Sequence, residues 1–231
     1  MIQLENYADE RQTSLCAYCG NFVAKLTRDH SPSKVFLNKP YPENLSIVPA
    51  CLTCNNNFSF DEEYVAYWVV IALYKQNGIK TNRYEKVIRA IERTPHFKKM
   101  FLETSLFERD DLLPIEEIRL KNILYKLANG HILFHHSNPQ YEAPKIISWF
   151  FLQSLNENNR GIFELELLVE IYPEVGSRAI LAINQYDYLY YPWIIAQEGV
   201  YRYLVADSKN SQIVKIVFSE FLACEVIWND I

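Results

Sequence analysis

Two cysteine pairs, Cys16-x-x-Cys19 and Cys51-x-x-Cys54, constrain this chain more than any other feature. Each pair can point two thiolates at one ion, so together they supply a closed tetrahedral sulfur site, most naturally for zinc. Whatever fold the chain adopts must bring these two segments together. The chain holds five cysteines, and four of them paired in this way favour a metal over disulfides in a reducing compartment. The fifth, Cys224, lies in a hydrophobic strand-like run and reads as a small buried apolar residue.

Between the pairs sits Asp29-His30, and Asn55 follows the last cysteine directly. With Asn44, these residues offer one carboxylate, one imidazole and two carboxamides. Such groups can hold a second, harder metal and activate a water. An unperturbed histidine, with a pKa of roughly 6.5, suits a general base near neutral pH. One Asp and one Asn are oxygen ligands of low total charge, which suits Mg²⁺ with its retained waters.

The bulk composition sets looser bounds. With 231 residues and 49% hydrophobic content, the chain can bury a core in one domain or in two to three small ones. Residues Met1 to Gln12 carry acids and no apolar core, so no signal peptide is expected. The longest apolar run, Tyr64 to Tyr74, is too short to span a bilayer. The expectation is a soluble, cytoplasmic protein without a membrane partner. A net charge of −5 argues against a general nucleic-acid coat, but the charge is unevenly spread. Residues 136–231 hold 6 Lys/Arg against 12 Asp/Glu, which makes that part a poor DNA surface. Lys75 to Lys99 instead gathers eight basic residues against Glu85 and Glu92.

Local patterning predicts an α+β fold in three regions: residues 1–62, 63–138 and 139–231. In the first, Leu15 to Cys19 and Phe22 to Leu26 read as strands of a knuckle and hairpin around a Gly20-Asn21 turn. In the helical middle, Asp61-Glu62-Glu63 reads as a helix N-terminus before Tyr64 to Leu73, and Gly78 as its end. Arg83 to Arg93 is amphipathic, with Tyr84, Val87, Ile88 and Ile91 on one face and Arg83, Lys86, Arg89 and Arg93 on the other; Pro95 stops it. Pro114 to Ala128 reads as a further helix capped by Asn129-Gly130. In the third, β-rich region, Lys145 to Leu155 is read as a helix. Strands are expected at Phe163 to Tyr172, Ala179 to Ile183, Val200 to Ala206 and Gln212 to Phe218.

The run Cys16-x-x-Cys19, Asp29-His30-x-Pro32, Asn44-Leu45, Cys51-x-x-Cys54-Asn55 resembles the HNH endonuclease family in order and approximate spacing. The resemblance covers about residues 12–65. It implies a zinc-stabilised ββα-metal module and a divalent-metal nuclease that hydrolyses phosphodiester bonds, DNA before RNA. His30 is then the general base, Asp29 and Asn55 the ligands of a catalytic Mg²⁺ or Mn²⁺, and Asn44 the residue that braces the loop and aims His30. Asn56 or Asn57 takes the place of Asn55 if the helix register slips. Cys16, Cys19, Cys51 and Cys54 hold a structural Zn²⁺ away from the chemistry. The resemblance also suggests a bacterial antiviral-defence or mobile-element setting.

Arg28 and Lys34 flank this site and are candidate phosphate contacts, as are Arg83, Lys86 and Arg89. Each of these has a bland counterpart as a solvated charge. His96, His131, His135 and His136 lack partners at metal spacing and read as ordinary surface or packing residues. Tyr186, Tyr188, Tyr190, Tyr191 and Trp193 read as core or partner interface before a base-stacking platform. The acidic C-terminal region is expected to dock a protein partner, such as an ATPase that delivers DNA, or a second copy of the chain. The competing reading is a catalytically inactive zinc-stabilised module for binding or assembly.

Overall fold

In the computed structural model, residues 14–101, 114–169, 189–207 and 211–228 are described. The fold is α+β. Its N-terminal part is a knuckle followed by a short hairpin, β1 (Thr27–His30) and β2 (Ile47–Ala50), paired antiparallel with Asp29 opposite Val48 and His30 opposite Ile47. The expected strands around Gly20 are reduced to a single bridge between Leu15 and Phe22. The backbone there instead closes a tight turn, with Gly20 N–H donating to the Cys16 carbonyl at 2.9 Å. Gly20 takes a φ of +68°, and the Tyr141 ring lies 3.0 Å from where a Cβ would stand, so both conformation and space select glycine.

Helix α1 (Leu52–Asn77) starts directly after the hairpin. The Asp61–Glu63 acids therefore lie inside it and do not begin it, because Cys51 caps the helix earlier, its sulfur accepting from Cys54 N–H. Gly78 ends it in the left-handed conformation, as its sequence position predicts. Helix α2 (Tyr84–Arg93) buries Val87 and Ile91. Pro95 separates it from α3 (Pro95–Phe101), where a proline is tolerated in the first turn.

Helix α4 (Glu117–His136) runs eight residues past the predicted stop. Asn129 does not cap it. Its carboxamide is buried and donates to the Ala17 and Gln140 carbonyls, at 2.9 and 2.7 Å. Gly130 sits where the chain after β1 presses closest, since an added Cβ would lie 2.8 Å from Ser31 Oγ. Ser137, at φ 59°, supplies the actual cap.

The C-terminal part is a five-stranded antiparallel sheet of order β3-β9-β8-β7-β6. Its strands are β3 (Ile146–Phe151), β6 (Ile194–Gln197), β7 (Tyr201–Asp207), β8 (Gln212–Phe218) and β9 (Leu222–Trp228). Two further strands, β4 (Leu167–Val169) and β5 (Leu189–Tyr191), pair separately. The helix predicted for Lys145 to Leu155 is β3, an edge strand zipped to β9. A short apolar run has no periodicity that tells strand from helix, and the partner strand decides it. Phe163 lies in helix α5 (Glu157–Glu164) and not in a strand. Ala179 to Ile183 falls outside the described residues.

Helix α4 is the centre of the molecule: it packs against α1 and against β7, β8 and β9. Leu120, Ile123, Leu124, Leu127 and Ile132 are fully buried there. One hydrophobic core cluster runs from Cys16 and Val48 through Trp68 and Leu127 to Ile216 and Trp228. No helix among the described residues is long and apolar enough to cross a membrane.

Candidate functional site

The four paired cysteines meet. The sulfurs of Cys16, Cys19, Cys51 and Cys54 lie within 4.8 Å of one another, with Cys19 and Cys51 4.0 Å apart. Sulfurs bound tetrahedrally to zinc at about 2.3 Å stand roughly 3.8 Å apart, so the set is placed to hold a metal ion and is compatible with structural zinc. Two backbone donors already face the sulfurs: Cys51 N–H on Cys16 at 3.3 Å and Cys54 N–H on Cys51 at 3.4 Å. The Cys54 N–H, at the start of α1, pulls the Cys51 thiol below its usual pKa, whereas burial pushes Cys16 above it. A bound cation favours the thiolate at every position.

The hairpin splits the Asp-His pair between its two faces, because successive strand residues point opposite ways. Asp29 is buried and His30 half-buried. The Asp29 carboxylate is engaged through one oxygen: Oδ2 accepts from the Tyr18 hydroxyl at 2.6 Å and stands 2.8 Å from Lys126 Nζ. Oδ1 receives no hydrogen bond from the described residues. Lys126 comes from the middle of α4 and has no solvent exposure. It also donates to Glu62 of α1 and to Ser33 Oγ, the latter at 3.1 Å, and its ammonium lies 5.8 and 5.7 Å from the Tyr18 and Phe58 ring centres. Ser33 in turn bonds Glu62. Burial raises the Glu62 pKa, and Lys126 works against that rise.

His30 ends β1. Its Nδ1 is buried and has no hydrogen-bond partner among the described residues. The imidazole pKa is held below its ordinary value, first by burial and next by the positive charge of Lys34; Asp29 and the Ser46 carbonyl oppose the shift, and Arg28 adds to it. Arg28 is exposed on the same strand face as His30. Asn55 lies in the first turn of α1 and faces the hairpin, its Nδ2 donating to Thr27 Oγ1 at 3.1 Å. Thr27 passes this on to the Ala50 carbonyl at 2.7 Å. Asn55 is thus set beside Thr27, on the strand face of Asp29 but two residues before it. Asn56 and Asn57 point to solvent. Asn44 is exposed in the turn before β2, and its side chain makes no hydrogen bond to the described residues.

The basic residues divide. Lys34, Arg83 and Lys86 converge on one cleft, together with Lys39, which the sequence reading did not single out. Arg89 instead folds back on its own helix, onto the Glu85 carbonyl at 3.1 Å. The histidines pack. His131 is buried between Ser31 Oγ at 3.2 Å and the Tyr201 hydroxyl at 2.9 Å, with its ring stacked 3.7 Å from that of Tyr203. His135 bonds the Tyr203 hydroxyl, His136 is buried, and His96 is exposed. Tyr191 is buried and Trp193 lies under the Arg202 guanidinium at 4.3 Å, both as packing groups. Tyr186 and Tyr188 fall outside the described residues.

Sequence reasoning missed Tyr18, Glu62, Ser33 and Lys126. No signal in the sequence marked Lys126: Arg119, Asn122 and Asn129 share its helix stripe, so it reads as one residue of an ordinary polar face. Only the fold shows it buried against two carboxylates. Comparison of the chain with protein-family models, curated proteins and solved structures gives no match.

Proposed function

We propose that this protein is a metal-dependent endonuclease of the HNH type, hydrolysing phosphodiester bonds with His30 as general base. The observation that carries this reading is the order of parts around the hairpin. β1 ends on Asp29-His30, β2 returns, and α1 begins at once with Asn55 in its first turn, while the cysteine cluster ties the knuckle to the start of that helix. His30 takes the proton of the attacking water, and its lowered pKa keeps it neutral and receptive near neutral pH. Arg28 and Lys34 are the cations that act most directly on His30 and are suited to holding the phosphodiester.

The residues fit a hard divalent cation. Tyr18 and Lys126 occupy Oδ2 of Asp29 and leave Oδ1 as a ligand. One ammonium faces two carboxylates, Asp29 and Glu62, so with both ionised the cluster keeps a negative charge for a further cation to offset. Asp29 Oδ1 would hold Mg²⁺ or Mn²⁺, which would supply charge stabilisation at the leaving oxygen. Tyr18 and Lys126 orient Asp29, and Asn55 fixes the distance between helix and strand. The cysteine cluster, filled by zinc, is structural in this reading.

The test is nicking of supercoiled DNA by purified protein with Mg²⁺ or Mn²⁺. Wild type is expected to cleave, and His30→Ala to lose the activity while keeping its zinc. Cleavage that survives His30→Ala overturns the mechanism. One observation favours a second reading, a catalytically inactive zinc-stabilised binding module: Lys126 already neutralises Asp29, and a protonated Glu62 would balance the cluster with no further metal. Inactivity on every DNA and RNA substrate, with metal supplied, selects that alternative.

A further inference from the structure

The cleft between the loop after β1 and helices α1 and α2 has a volume of about 560 Å³. Lys34, Lys39, Arg83 and Lys86 line it together with Tyr41 and Tyr67, and Glu63 is the single acidic residue in its wall among the described residues. In a chain of net charge −5, this is a local concentration of positive charge that one carboxylate only partly offsets.

Arg83 is the decisive group. It stands at the start of α2, partly buried, and its guanidinium donates to the Val35 carbonyl. It forms no salt bridge with any described residue. Burial without a carboxylate pulls its pKa below the usual value. A guanidinium set into a wall with donors to spare is costly unless an anion completes it. Lys34 and Lys39 are likewise turned to a ring and not to an acid: their ammonium groups lie 5.7 and 5.8 Å from the Tyr41 ring centre. Lys86 is exposed at the rim.

We propose that this cleft binds a compact phosphorylated ligand of mononucleotide size, its phosphates on Arg83 and Lys86 and its base or other flat moiety against Tyr41 and Tyr67. The volume falls inside the roughly 300–1,000 Å³ range of small-molecule sites. Four cations against one carboxylate match a di- or trianion. Val35, Leu37, Val87 and Ala90 supply the apolar remainder of the wall, which a bare inorganic anion leaves unused. A nucleic-acid backbone is matched by a stripe of exposed cations; here the strongest donor is recessed and the cations converge on a partly open cleft. The proposal holds whether or not His30 cleaves anything, since none of its groups is a metal ligand or the base.

The experiment is calorimetric titration of the zinc-loaded full chain with AMP, ATP, inorganic phosphate and a short single-stranded oligonucleotide. The expected result is saturable binding of a nucleotide, weaker binding of inorganic phosphate, and a loss of roughly tenfold to a hundredfold in Arg83→Met, the value of a charge-assisted hydrogen bond or two. Methionine keeps the volume and removes the unpaired charge, so the variant is expected to fold. Lys86→Ala, at the rim, gives an independent readout and should weaken binding without changing the unfolding temperature. The proposal is overturned if no nucleotide saturates the protein, if Arg83→Met and Lys86→Ala both bind as wild type, or if the oligonucleotide binds more tightly with a salt dependence of several phosphates.

Discussion

The N-terminal hairpin and the C-terminal sheet are both antiparallel, yet they hold together by different means. Strand β1 reads Thr-Arg-Asp-His, four residues with one buried side chain, a carboxylate. Strands β7, β8 and β9 each run seven residues, rich in Val, Ile, Leu and aromatics, and are buried over most of their length. The sheet buries enough apolar area to order itself against α4. The hairpin adds only Val48 and Ala50 of β2 to the core, and two polar clamps supplement them: the cysteine cluster on one side and Lys126 with its carboxylates on the other. With β1 offering no buried apolar side chain, much of the hairpin's order comes from groups on the knuckle, α1 and α4.

The largest expected effect breaks the comparison at the metal. Structural zinc supplies an apparent folding free energy of about 10–16 kcal/mol in small modules. Cys51→Ser, or strong chelation, should therefore release the metal and collapse hydrogen-exchange protection across the knuckle and hairpin, while β7 to β9 stay protected. Zinc content that stays near one per chain in Cys51→Ser sinks the four-cysteine assignment. Equal loss of protection in the sheet would show that the two regions fold as one unit.

Next comes the buried ammonium. Lys126→Met leaves Asp29 and Glu62 facing each other without a cation, and removing one partner of a buried pair costs about 3–5 kcal/mol. The double variant Lys126→Met/Glu62→Gln should recover part of that loss in denaturant titrations, because only one uncompensated carboxylate remains. If Lys126→Met is as stable as wild type, the cluster is not a clamp.

The smallest effect lies at the seam with the sheet. Burial holds His136 down to a pKa of about 4, against 6.5 for a free imidazole. The folded state therefore prefers the neutral ring, and the unfolded state binds the proton first. Stability is complete above pH 6.5 and is lost as pH falls toward 4, by about 3 kcal/mol for this one residue. His131, also depressed by burial, acts in the same direction. His136→Phe should flatten the acid limb of a pH-stability profile relative to wild type. An unchanged slope would remove His136 from the groups that set the acid limb.

The parts legible in the sequence were those set by near neighbours. Two C-x-x-C turns announce a metal site wherever the chain goes, and the cluster closes as their spacing predicts. Gly78 ends α1 because only glycine takes its left-handed φ at no cost, and β7 and β8 follow from runs of strand-forming residues between turns. Tertiary packing decided the rest. Asn129-Gly130 looks like a helix end but serves as a contact face, the carboxamide reaching the Ala17 carbonyl and the glycine admitting Ser31. β3 became a strand because β9 offered an edge. Above all, the sequence names Asp29 and His30 as a pair, but only the fold decides their environments. Lys126 arrives from α4 to hold one oxygen of Asp29, and the basic residues are sorted into a cleft that no linear pattern outlines. Periodicity records which face of an element is apolar. The partner of a buried polar group comes from elements far away in the chain, and electrostatics at short range then fixes what that group can do.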